Sequence, residues 1–111
     1  MNNRRKVVID TNILVSALWS ENGNSAMILK MIPNIIIPIF NDPIFDEYTD
    51  VLNRPKFAFS IDMRMNLLSK LKAFGEVSNP QKSDTPIADE TDRIFLDTAI
   101  SSGATLITGK Y

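Results

Sequence analysis

Runs of apolar residues on two different spacings divide the chain into strands and helices. Val7-Val8-Ile9 is a β-branched run with apolar residues on both faces, as an internal parallel strand has. Ile35-Ile36-Ile37 reads as a second buried strand and Ala104-Thr105-Leu106-Ile107-Thr108 as a third. Between them the spacing turns helical. Asp10 or Thr11 caps a helix carrying Ile13, Leu14, Ala17 and Leu18, and after the turn Glu21-Asn22-Gly23-Asn24, Ser25 opens a second through Met27, Ile28 and Met31. Pro33-Asn34 stops it. Asp42-Pro43 supplies a capping carboxylate and then a proline at the first helical position. The helix that follows shows Ile44, Phe45, Tyr48, Val51 and Leu52 on one face and ends before Pro55. Ser60 caps a fourth, with Met63, Leu67, Leu68 and Leu71 inside and Gly75 at its end. Residues Asn79 to Asp89 read as a surface loop, after which Asp89 or Thr91 caps a helix through Ile100 closed by Gly103.

Strand, helices, strand, helices, strand, with no hairpin signal and no repeat, predicts an α/β domain with a central parallel sheet and right-handed crossovers. At 111 residues we expect a single domain spanning 1–111. In such sheets ligands sit outside the carboxyl ends of the strands, where Asp10 and Thr108 fall.

Composition narrows the chemistry. Twelve Lys and Arg against thirteen Asp and Glu leave a formal net charge of -1, so a nucleic acid would have to be held by a local patch or through a cation rather than by bulk charge. Neither Cys nor His occurs. Disulfides and Cys-based zinc sites are excluded, and acid-base or metal chemistry must run on carboxylates, which favours Mg²⁺ or Mn²⁺. The basic start Met1 to Lys6 precedes an apolar run broken at Asp10, too short for a signal-peptide core. The stretch Ile35 to Phe40 is interrupted by Pro38 and cannot span a bilayer. A soluble, cytoplasmic protein with no membrane partner is expected.

Three acids stand out by position. Asp10 follows a buried strand directly; helix cap and site residue are equally good readings of it, since Thr11 caps as well as Asp does. Glu47 falls beside Ile44 and Val51 at the edge of the apolar stripe, while Asp46, Thr49 and Asp50 face away. Asp92 shares a helix side with Phe95, Leu96 and Ala99 near the helix start, where any acid is favoured by the helix dipole. Asp97 falls on a different side of that helix from Asp92, so the two are not expected to bind one ion directly. A divalent ion held by Asp10, Glu47 and Asp92 would bring a phosphodiester into an otherwise acidic pocket and activate water.

Four segments resemble the PIN domain family, in particular its bacterial branch of VapC-like toxin ribonucleases. They are Val7 through Leu18, beginning Val-Val-Ile-Asp-Thr-Asn; Asp46-Glu47-Tyr48 continuing to Val51-Leu52-Asn53-Arg54-Pro55-Lys56-Phe57; Asp89-Glu90-Thr91-Asp92-Arg93-Ile94-Phe95-Leu96-Asp97-Thr98-Ala99; and Gly103 through Gly109. They occur in the family's order over nearly the whole chain. The resemblance implies a three-layer α/β/α fold and RNA hydrolysis with one or two Mg²⁺ or Mn²⁺ ions. It matches Asp10, Glu47 and Asp92 to the three catalytic, metal-binding acids and Asn12 and Thr108 to supporting polar residues; Asp97 is taken as a further supporting residue. It also implies an RNA substrate, an antitoxin partner and a homodimer. Lys110 stands where many members carry an acid, two residues after the Thr. The chain also ends at Tyr111, earlier than relatives do. The expectation is a C-terminally short domain, truncated or minimal, with an exposed sheet edge suited to self-association.

One rival within the family remains open at the level of sequence, and two from outside it fit poorly. A catalytically degenerate PIN domain that only binds RNA or an antitoxin would fit Lys110 and the early stop. A haloacid-dehalogenase-type phosphohydrolase also uses an Asp after its first strand, but it needs a second Asp two positions on, where this chain has Asn12. A receiver domain needs an acceptor Asp after a middle strand, and Pro38-Ile39 follow Ile37 instead. Arg54 and Lys56, at a helix end, and Lys110 are candidate RNA contacts. The Met residues are read as core filler and Trp19 as packing.

Overall fold

The computed structural model describes residues 3–82, 84, 86–87 and 92–109. Four strands, β1 (Arg5–Ile9), β2 (Ile36–Phe40), β3 (Glu76–Val77) and β4 (Thr105–Ile107), form one all-parallel sheet in the order β3-β2-β1-β4. Five helices connect them: α1 (Thr11–Trp19), α2 (Asn24–Lys30), α3 (Asp42–Leu52), α4 (Ile61–Phe74) and α5 (Arg93–Ser102). Right-handed crossovers carry the first two connections over one face of the sheet and the return through α5 over the other. This is the α/β/α arrangement expected from the sequence. The strand order reverses at β1, so its carboxyl end opens between β2 and β4 at the switch point.

The centre of the sheet is the core. Val7, Val8 and Ile9 are almost wholly buried and all five residues of β2 are buried. Each such aliphatic side chain contributes on the order of 1.5–3 kcal/mol. Pro38 sits inside β2, directly after the stretch read as a strand from Ile35 to Ile37. Its carbonyl points toward Gly75, and since N–H and C=O of a strand residue leave on the same edge, the missing donor faces a stretch where β3 has not begun. β3 pairs only with Ile39 and Phe40, so no ladder bond is lost. Gly75 is required here by close approach: a Cβ would lie 2.5 Å from Phe40 and 2.6–2.7 Å from the Leu71 and Pro38 carbonyl oxygens.

Several local expectations are met. Ser60 accepts from the Met63 N–H and caps α4, and Gly103 ends α5 with a positive φ of 73°. Others are corrected. The short edge strand β3, between the end of α4 and the loop read from Asn79, was not anticipated, because two residues carry no periodicity. Asn41 rather than Asp42 caps α3, and Gly23 rather than Ser25 caps α2. Met27, Met31, Met63 and Met65 are exposed, not core filler, because Leu29, Leu67 and Leu71 already fill the space beneath those helices. Trp19 is half exposed, packing edge-on against Phe57 and Phe59 at 5.3 and 6.3 Å. Asp89 and Thr91, the expected caps of α5, lie outside the described residues; among those described, Asp92 precedes the helix. No described helix is long and apolar enough to cross a membrane.

Candidate active site

Asp10 leaves the core directly from β1. Its N–H donates to the Ile107 carbonyl at 2.9 Å, so the β1–β4 pairing continues to the acid itself. Its own carbonyl accepts from the Ile13 N–H and starts α1. The side chain, however, makes no capping hydrogen bond. The carboxylate is therefore left facing a cleft of about 200 Å³ that it shares with Asp92, Thr108, Phe95, Leu96 and Leu106. The two readings of Asp10 both hold in part: its backbone opens the helix and its side chain does not.

Burial pushes the Asp10 carboxyl above its ordinary value, and the nearby negative charges of Asp92 and Glu47 push it further. The main-chain N–H groups of Asn12 and Thr11 at the helix start pull it back, without closing a capping bond of good geometry. Asp10 thus stands in the field of both other acids singled out by the sequence.

Glu47 is fixed from below. The Thr11 hydroxyl, buried under α1, donates to Glu47 Oε2 at 2.5 Å. The next residue along α3, Tyr48, is fully buried and its hydroxyl donates to the Ile9 carbonyl. Burial first, then Asp10 and Glu47, raise the Tyr48 phenol far above its usual range, so it remains a neutral donor. Two consecutive residues of α3 therefore fasten the chain on either side of Asp10. Sequence reading missed this: Tyr48 looked like core, and Thr11 looked like a rival cap.

Asp92 sits at the entry to α5 with helical φ and ψ and makes no capping hydrogen bond. What places it is α5, which packs against β1, β2 and β4. A second missed residue anchors that helix. Asn41 is buried; besides accepting from the Ile44 N–H, its amide donates to Thr98 Oγ1 at 2.8 Å and to the Ser78 carbonyl at 3.0 Å. Thr98 passes its own proton to the Ile94 carbonyl at 2.7 Å. An Asn directly after a buried strand and three residues before the first residue of a helical apolar stripe was the signal available.

The remaining expected residues divide. Thr108 lines the cleft from the end of β4. Asn12 is half-buried in the first turn of α1 and acts on Asp10 through its main chain. Asp97 is buried but faces a different groove, of about 370 Å³, with Pro80, Lys82, Arg93 and Ile94; its separation from Asp92 around the helix is as expected, and it does not line the Asp10 cleft. Arg54 and Lys56 do not line that cleft either. Arg54 pairs with Asp50 at 3.4 Å, and Lys56 lies over Phe57. Phe57 packs on Trp19, eight residues along α1 from Thr11, a helical rise of roughly 12 Å. Lys110 lies outside the described residues.

A cleft flanked by carboxylates at the switch point of a parallel sheet is where such folds bind their ligands. The family model for the PIN domain matches residues 6–109. The chain belongs to that family, whose members are nucleases. It is 36% identical over 108 residues to the uncharacterized protein MJ1680 of Methanocaldococcus jannaschii, covering 94% of this chain and 70% of that protein. No solved structure gives a significant match.

Proposed function

We propose that this chain is a Mg²⁺- or Mn²⁺-dependent endoribonuclease in which Asp10 and Asp92 hold the ion and Glu47 completes the site directly or through water. The observation that carries this reading is the cleft shared by Asp10 and Asp92, with Glu47 adding to the negative field at Asp10. The donor set is all oxygen, which suits a hard cation. Among the described residues no three acids stand close enough to enclose an ion unaided, so water would have to complete the coordination, as it does around Mg²⁺. When bound, such an ion supplies charge neutralisation for a phosphodiester and a water of lowered pKa.

The chain's own contribution is positioning. Asp10 is presented by a rigid strand end, Glu47 is oriented by the Thr11 hydroxyl, and Phe95, Leu96 and Leu106 form an apolar wall that excludes water from one side. Thr108 and Asn12 are polar neighbours available to orient a water. The test is cleavage of a single-stranded RNA under titrated Mn²⁺ by the native chain and by Asp10→Asn. Cleavage that needs the ion and vanishes in the variant supports the assignment; metal-independent cleavage, or cleavage that survives in the variant, overturns it.

By the resemblance to the VapC-like branch, the biological role is the toxin half of a toxin–antitoxin pair, as a cytoplasmic homodimer of one PIN-like domain. A neighbouring reading frame for a small DNA-binding protein that co-purifies with this chain is the expected finding. The spread of the acids favours one alternative, a degenerate PIN domain that binds RNA or an antitoxin without cutting. RNA retained but uncut under every divalent ion would select it.

A further inference from the structure

We infer that Thr11 and Tyr48 are positioning residues of the nuclease site, acting together as a two-point clamp that holds Asp10 and Glu47 at a set separation. This deepens the metal-dependent reading above and rests on it. The geometry is a pair of side-chain hydrogen bonds between two adjacent residues of α3 and the two residues flanking Asp10. Tyr48 reaches the carbonyl of Ile9 before it, and Thr11 after it reaches Glu47 Oε2. Both bonds join segments more than 35 residues apart in sequence, so neither is a by-product of local helix geometry. Thr11 and Tyr48 are 4% and 2% exposed, which shields the Tyr48–Ile9 bond from water fully and the Thr11–Glu47 bond in part, since Glu47 is half-buried.

The consequence for chemistry is specific. The Thr11 hydroxyl occupies one oxygen of Glu47, leaving Oε1 as the oxygen free to face an ion or its water. The carboxylate is then a single-oxygen donor of fixed direction. Tyr48 holds the end of β1 at the point where Asp10 leaves it, and so fixes the other donor. Outer partners of this kind change metal affinity or activity by about 10- to 100-fold when removed.

The experiment uses Thr11→Val and Tyr48→Phe, which delete a hydroxyl and keep the volume, with Thr11→Ser as the variant that restores a donor. Mn²⁺ affinity is read by calorimetry on the full chain, and kcat and KM are read on single-stranded RNA, with thermal melts checking that each variant is folded. The expected result is Mn²⁺ binding weakened about tenfold in Thr11→Val and in Tyr48→Phe. A fall in kcat of similar size is expected at unchanged KM, with Thr11→Ser close to the native chain. A purely structural role would lower the melting temperature and leave the Mn²⁺ affinity and the kcat-to-KM split of the folded protein unaltered; that outcome overturns the clamp. A native chain that binds Mn²⁺ without cutting RNA removes the nuclease reading and leaves the clamp to be decided by the affinities. A native chain that binds no Mn²⁺ overturns both.

Discussion

The two walls around Asp10 are built differently; residues of α5 line its cleft and those of α3 do not. On the α3 side, Glu47 is held by Thr11, Tyr48 is bonded to Ile9, and both hydroxyls are buried in the densest part of the molecule. On the α5 side, Asp92 precedes its helix without a capping bond, and Thr108 ends an edge strand whose three residues are exposed or half-exposed. One wall is set before any ligand arrives. The other is attached to the fold through Asn41 and Thr98, well behind the acids.

The comparison is broken most severely at Asp10, which both walls face. Asp10→Asn should lower RNA cleavage by more than about 100-fold, beyond what loss of an outer partner does. It should also make the ion-free chain more stable at neutral pH. The Asp10 carboxyl is raised above its ordinary 3.8, so its favourable contribution is complete below that value and is lost as pH rises through the raised one. Melting curves of the two chains should converge in acid and separate toward neutrality, with added Mn²⁺ raising the native chain and not the variant. A native chain that melts above Asp10→Asn at pH 7 without metal would contradict this.

Asn41→Ala should cost about 2–4 kcal/mol in denaturant unfolding, since it removes a cap and leaves buried partners in Thr98 and Ser78 unmatched. If Asn41 is the anchor of the α5 wall, hydrogen exchange should accelerate in α5 before it does in β1. Gly75→Ala tests the far edge of the sheet. Its Cβ would overlap two carbonyl oxygens and Phe40, and a loss of roughly 1–3 kcal/mol is expected. Cleavage per folded molecule should be unchanged, because no residue of β3 lines the cleft. The smallest effect belongs to Arg54→Ala. Its pair with Asp50 is exposed, so stability should move by less than about 0.5 kcal/mol, and RNA affinity should not fall. A clear drop in RNA affinity would restore Arg54 as a contact and extend the substrate path along α3.

Much of the frame was legible in advance where one local cause decides the outcome. Val7-Val8-Ile9 could only be an internal strand, because apolar residues on both faces need cover on both faces. Ser60 and Gly103 end their helices for reasons contained within a turn of chain. The expectation failed where two distant segments decide together. Asp42 looked like the better cap of α3, but Asn41 has Thr98 and Ser78 to satisfy as well, and those partners come from 57 and 37 residues away. Pro38 looked like the end of β2, yet the missing donor faces an edge that β3 leaves open. Met27, Met31, Met63 and Met65 looked like core and are exposed, because helical spacing identifies a face without saying how much of it a neighbour covers.

The sequence by itself determined the chemistry available to this protein and the order in which it is delivered. Without His or Cys, any metal site had to be made of carboxylates, and Asp10 had to emerge at the carboxyl end of a buried parallel strand. Tertiary structure alone decided which polar groups meet. It brought Asp92 into the same cleft as Asp10 and turned Asp97 toward another groove. It set Arg54 and Lys56 at the far end of α1, and it drew Thr11 and Tyr48 into the support of the acids. The physical reason is range. Caps, periodicity and strand burial are settled over a few residues, whereas a hydrogen bond between Thr11 and Glu47, or repulsion between Glu47 and Asp10, exists only once the crossovers have carried α3 back across the end of β1.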